Sequence, residues 1–225
     1  MWAKDGGYYY LASNVEIDAG AKPAEWDDYV KQYMIQEQVI DGKTVKVGLI
    51  GIVTPETKFK TAAANVEGFN FTDPVEATNK WSEYLRDVAG VDAVIALTHL
   101  GSYQSNGTIT GEIVDYANKV EGIDAIFTGH THQLVDGDLN GIPVVQGSYN
   151  GRGISNITLM FSIGENGTIN LEAVDGAVTN LTDHIPALTD DAAVKAIIDS
   201  YYEELEPILG EVLGILENDL PHDTD

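Results

Sequence analysis

Three short apolar runs mark the middle of the chain: Val47–Val53 (VGLIGIV), Asp92–Thr98 (DAVIALT) and Asp124–Thr128 (DAIFT). Runs of this length, rich in β-branched residues and bounded by turn formers, predict strands buried on both faces, as in a parallel sheet. Helical patterns lie between them. Thr72-Asp73-Pro74 reads as a capping side chain followed by a first-turn proline. Val75, Trp81, Tyr84, Leu85 and Val88 then make a partial helical stripe, which Gly90 stops. Thr110–Val120 predicts a second short helix with Ile113, Val114 and Ala117 on one face. The order strand–helix–strand–helix–strand predicts an α/β fold with a parallel sheet.

The flanks read differently. Tyr8–Ile17 predicts a short strand entering a loop, and Asp28–Ile40 is apolar and mixed in period. Asp41-Gly42 separates Gln38-Val39-Ile40 from Lys43–Val47, the pattern of a tight hairpin whose two turn residues take positive φ. Downstream, Leu134-Val135 and Ile142–Gln146 flank a turn-rich Asp136–Gly141, and Ile154–Ile163 and Thr168–Val174 flank Gly164–Gly167. These predict antiparallel hairpins. Val194, Ile197, Ile198, Tyr201, Tyr202, Leu205, Ile208 and Leu209 recur at helical spacing, a long amphipathic helix that Pro207 kinks or interrupts. This stripe reads as a packing face, and Asn218–Asp225 as a polar tail.

The 225 residues include 12 Lys+Arg against 36 Asp+Glu, a formal charge of −24. Such a charge opposes binding to nucleic acid or to an anionic membrane, both polyanions. A small phosphate ester stays open as a substrate if a bound cation supplies the local positive field. The absence of Cys removes disulfides, thiolate metal sites and thiol nucleophiles. No stretch reaches the about 18 apolar residues of a membrane span, and Met1–Gly6 lacks the basic-then-apolar pattern of a signal peptide.

Three of the five histidines follow predicted buried strands: His99 after DAVIALT, and His130 and His132 in Gly129-His130-Thr131-His132 after DAIFT. Ligands of open α/β sheets bind at the carboxyl ends of the strands. One helix separates the two strands, so the sequence predicts that they are neighbours and that the three imidazoles meet at one rim. Imidazole suits Zn, Mn and similar ions. His184 and His222 fall in polar loops.

Ile95–Gly101 and Gly122–His132 resemble the last two metal motifs of the calcineurin-like metallophosphoesterases, in particular the bacterial 5′-nucleotidase and 2′,3′-cyclic-nucleotide 2′-phosphodiesterase branch. Val47–Thr57, Asp73–Ala77 and Pro143–Gly153 fit the same family in order, and Tyr9–Asn14 resembles the strand after its third metal motif. The resemblance implies hydrolysis of a nucleotide phosphoester by a water activated between two divalent metal ions, Zn, Mn or similar. His99 and His130 would bind one ion and His132 the other, with Arg152 a candidate substrate contact. It also implies an extracellular, cell-wall or periplasmic location for the parent protein.

The chain departs from the family in lacking an Asp-x-His and an Asn-His pair. These belong to the family's first three motifs, which supply the bridging carboxylate and the His that assists the leaving group. The expectation is therefore an incomplete α/β metallophosphoesterase sandwich, a fragment. Residues 1–184 would be the C-terminal part of that domain, 185–217 an amphipathic linker helix and 218–225 the start of a missing nucleotidase domain. The expected partners are a nucleotide or cyclic nucleotide and the two missing pieces, with no nucleic-acid polymer and no membrane span. Alone, the chain is expected to be inactive, with unpaired sheet edges and exposed apolar surface. The rival readings are a catalytically dead binding module and a simple His-based metal-binding protein. Asp136–Gly141 mimics the start of a calcium loop, but the twelfth position is Gly147 where a Glu is needed, so it reads as a hairpin turn.

Overall fold

The computed structural model describes residues 2–182 and 189–215. The chain divides into two units, Met1–Asp183 and His184–Asp225. The polar tail from Asn218, His184 and His222 lie outside the described residues.

The first unit is built on a six-stranded sheet: β1 (Tyr33–Ile40), β2 (Lys43–Ile52), β3 (Ala93–Gly101), β4 (Ala125–Gly129), β5 (Leu134–Leu139) and β6 (Ile142–Gly147). Across the sheet the order is β5-β6-β4-β3-β2-β1. The four inner strands are parallel; β1 and β5 close the sides as antiparallel partners of β2 and β6. The three apolar runs thus form the adjacent inner strands β2, β3 and β4, where both faces are covered. The β1–β2 turn is the Asp41-Gly42 pair, with φ of 49° and 76°.

Helix α1 (Pro74–Glu83) starts where Asp73 accepts hydrogen bonds from the amides of Val75 at 2.7 Å and Glu76 at 3.2 Å. It continues as a single π turn, Tyr84–Val88, which places Leu85 wholly inside the core. Helix α2 (Glu112–Ala117) lies on the same side, since the hydroxyls of Thr78 on α1 and Tyr116 on α2 are 2.8 Å apart. Burial raises the Tyr116 phenol pKa well above its ordinary value. Val144 joins this helix-side core. Its neighbour Val145 points the other way, towards a ribbon of β7 (Gly153–Ile163) and β8 (Ile169–Asn180), where a Cβ on Gly176 would come within 3.0 Å of Val145 Cγ1. Helices on one face and a second β-layer on the other give the mixed α/β sandwich expected.

The N-terminal segment adds to its prediction. Tyr8–Ile17, expected as a short strand entering a loop, holds a second short strand after the turn: Tyr10–Leu11 pairs in parallel with Val30–Lys31, and Val15–Ile17 pairs antiparallel with Phe69–Phe71. Between them sits Asn14, fully buried. Its Nδ2 donates to the carbonyls of Val53 at 2.8 Å and Thr72 at 3.0 Å, and its Oδ1 accepts from Val53 N–H at 2.9 Å. One side chain ties three remote segments together.

Two further boundaries move. Thr110 ends a hairpin of Tyr103–Ser105 and Thr108–Thr110 rather than opening a helix. Its turn is Asn106-Gly107, with φ of 49° and 79°. Asp136–Leu139 is extended strand, and the turn is confined to Asn140-Gly141. In the second unit, α3 (Ala192–Leu209) is capped by Asp191 and ends two residues beyond Pro207. Within this unit its apolar residues, Val194, Ile197, Tyr201 and Leu205 among them, are exposed.

Candidate active site

His99 and His130 meet because β3 and β4 are adjacent parallel strands ending at the same rim. The pairing runs Ala125↔Ile95, Ile126↔Ala96 and Phe127↔Leu97, then slips so that Gly129 faces Gly101. Their ring centroids are 5.1 Å apart, with planes at 64°. Gly129 makes room for this approach, since a Cβ there would lie 3.3 Å from His99 Nδ1. The His132 ring stacks on Tyr149 at 5.0 Å and 23°. Arg152 also contacts Tyr149, its guanidinium 4.6 Å from the ring centre and its Nη1 donating to Tyr149 Oη at 2.7 Å.

Two carboxylates join the imidazoles. Glu56 Oε2 accepts from His130 Nε2 at 3.2 Å. Glu112, at the start of α2, accepts from the Gly101 amide at 2.9 Å and from the Thr54 hydroxyl at 3.1 Å. A cleft of about 380 Å³ lined by Pro55, Leu100, Glu112 and Tyr116 adjoins this corner and includes none of the three histidines. The histidine-based reading missed Glu56, Glu112 and Tyr149. Glu56 had a signal in Thr54-Pro55-Glu56-Thr57, the polar exit of a buried strand, to which the strand-end rule applies equally.

Burial lowers the pKa of His99 below its ordinary 6.5; positive charge on His130 and His132 adds to this, and Glu112 opposes it. The unfolded chain therefore takes up this proton at higher pH than the folded one. The stability this neutral imidazole contributes is complete above pH 6.5 and is lost as pH falls through the lowered folded value. Urea midpoints at about pH 7.5 and about pH 5 should fall less in His99→Gln than in the wild type; an identical fall would contradict the assignment.

Nitrogen and carboxylate donors of this kind suit divalent Zn or Mn. Among the described residues, however, no three His, Asp or Glu side chains form a group that could hold an ion. The donors present do not make up a two-ion centre.

A model of the calcineurin-like phosphoesterases matches residues 8–134, the stretch that holds β1–β4 and all three rim histidines. The chain belongs to the calcineurin-like phosphoesterase family. Among its relatives, the endonuclease YhcR of Bacillus subtilis is 32% identical over 177 residues, covering 78% of this chain and 14% of that protein. The 2′,3′-cyclic-nucleotide 2′-phosphodiesterase/3′-nucleotidase of Salmonella typhimurium is 28% identical over 148 residues, 63% of this chain and 23% of that protein. The crystal structure of the calcineurin-like phosphoesterase YfkN from Bacillus subtilis superposes with a TM-score of 0.71 at 25% identity, covering 90% of this chain and 64% of that one. This calcineurin-like chain thus spans less than a quarter of the length of either full-length relative.

Proposed function

We propose that this chain carries the imidazole side of a phosphoric ester hydrolase site for nucleotides, of 5′-nucleotidase or 2′,3′-cyclic-nucleotide phosphodiesterase type. His99, His130 and His132 are its metal-ligating side chains, and Arg152 is a contact for the substrate phosphate. The observation that carries the reading is the pairing of His99 with His130 at 5.1 Å on the shared rim of two parallel strands, inside the family-matched stretch. The relatives named for cyclic-nucleotide phosphodiesterase and 3′-nucleotidase activity favour a nucleotide substrate.

The chain's own residues supply positioning. The β3–β4 pairing holds two imidazoles together, and burial keeps His99 neutral, the state in which a ring nitrogen has a lone pair to offer. The described donors leave a two-ion centre unfinished, so hydrolysis requires carboxylate and imidazole donors from another segment. In this reading residues 1–184 are the C-terminal part of the phosphoesterase domain, 185–217 a linker region that contains α3, and 218–225 the approach to a nucleotidase domain. No helix among the described residues is long and apolar enough to cross a membrane. The Listeria monocytogenes relative Lmo0130 is named a cell wall protein, which favours a site of action outside the cytoplasm.

The test is hydrolysis of AMP, 2′,3′-cyclic AMP and a chromogenic phosphodiester with Zn²⁺ or Mn²⁺. The chain alone is expected to be inactive. Fused behind the N-terminal portion of a relative's phosphoesterase domain, which carries the absent motifs, it is expected to gain metal-dependent turnover. His130→Ala should lower that turnover by at least about 10- to 100-fold, the scale seen when even a supporting partner of a metal site is lost. Turnover by the chain alone would overturn the incompleteness; an inactive, folded fusion would overturn the hydrolase reading.

A further inference from the structure

We propose that Gln146 is the positioning residue of the His130–His132 loop, holding both imidazoles on a backbone that the loop does not favour by itself. The inference takes its functional meaning from the hydrolase reading, but its geometry stands apart from it.

The loop is strained at both histidines. His130 has φ 71° and His132 φ 59°, the left-handed region that side chains with a Cβ seldom occupy. The Thr131 amide donates to the Gly129 carbonyl at 2.8 Å, closing a three-residue turn with His130 at its centre. A turn of that kind with positive φ is rare and strained. Such strain persists only where the surroundings over-determine it.

Gln146 supplies that constraint. It lies on β6 beside Val144 and Val145 and is 1% exposed. A carboxamide in such a core costs free energy unless its groups are paired. Its Nε2 donates to the Gln133 carbonyl at 2.7 Å and to Thr131 Oγ1 at 3.0 Å, and its Oε1 accepts from Ser102 Oγ at 3.3 Å. The Thr131 hydroxyl in turn donates to the Ser102 carbonyl. One side chain thus grips the residues on both sides of His132 and joins them to Ser102, just past the end of the strand that carries His99. Leucine fills similar volume without these bonds. Glutamate would set an oxygen against the Gln133 carbonyl oxygen.

The test is residue-resolved amide exchange by NMR on the full chain, comparing wild type, Gln146→Leu and Thr78→Val. Thr78→Val removes a buried hydroxyl pair remote from the loop. In Gln146→Leu, exchange at Thr131 should rise at least about tenfold more than at Ala96 in the centre of β3, the mark of a local opening distinct from global unfolding. The ring-proton resonances of His130 and His132 should shift with it. In Thr78→Val the two amides should change in step. If Thr131 and Ala96 also move in step in Gln146→Leu, or if Thr131 does not change, the proposal is overturned. If Gln146→Leu does not fold, Gln146→Asn, one methylene short of the loop, is read by the same two outcomes. The measurement uses neither metal nor substrate, so its failure leaves the hydrolase reading standing, and an inactive fusion leaves the positioning role standing.

Discussion

Gly51→Ala should lower the stability of the first unit by about 3 kcal/mol, at the top of the range for overpacking. Gly51 lies near the end of β2, directly beneath the N-terminal strand. A Cβ there would come within 2.2 Å of Leu11 Cβ and 2.4 Å of the Leu11 carbonyl carbon and oxygen. Backbone atoms cannot rotate out of the way as a flexible side chain can. The Leu11 segment is also held in place, because the Ser13 amide donates to the Gly51 carbonyl at 2.7 Å and the Ala12 amide to the Lys31 carbonyl at 2.8 Å. Relief of the clash requires lifting that segment and giving up those bonds. The check is the urea midpoint of the variant against wild type at equal m-value. An unchanged midpoint would mean that the Leu11 segment does not lie on β2 in solution.

Leu85→Ala should cost about 3 kcal/mol by leaving a cavity in the helix-side core, within the range seen for buried leucines. Leu85 is 0% exposed and sits in the π turn against β2, where a Cβ added at Gly48 would meet Leu85 Cδ1 at 2.8 Å. The two positions are complementary in volume. Gly48→Ala alone should be destabilising through that contact, whereas the Gly48→Ala/Leu85→Ala pair should lose less than the sum of the two single changes. Contacting residues couple in this way. Strict additivity in the double-mutant cycle would show that the two side chains do not share the space.

The parts of the fold that could be read from the sequence were those governed by local rules. The Asp41-Gly42 hairpin follows from two residues that tolerate positive φ, and the Asp73-Pro74 helix start from a cap and a ring-fixed φ. The inner strands follow from burial on both faces. The meeting of His99 and His130 follows from two such strands joined by one short helix. The Asn106-Gly107 hairpin obeyed the same turn rule, yet its strands are three residues each and too short for a periodic signal. Glu56 and Gln146 escaped for another reason. A carboxylate in a strand exit and a glutamine at the end of an apolar run carry no periodicity, and their roles come from partners 74 and 13–15 residues away. The stacking of His132 on Tyr149 likewise depends on the positive-φ backbone of the loop, which spacing alone does not encode.

The Asn14 knot bears on how the chain is made. Its amide binds a carbonyl 58 residues further along, so during synthesis the N-terminal segment has no lasting place until Thr72 has emerged. At ribosomal speeds of roughly 5–20 residues per second, that leaves it undocked for about 3 to 12 seconds. Over that interval the nascent chain must keep Leu11 and its neighbours out of non-native pairings, so this segment settles only after the residues up to Thr72 have emerged.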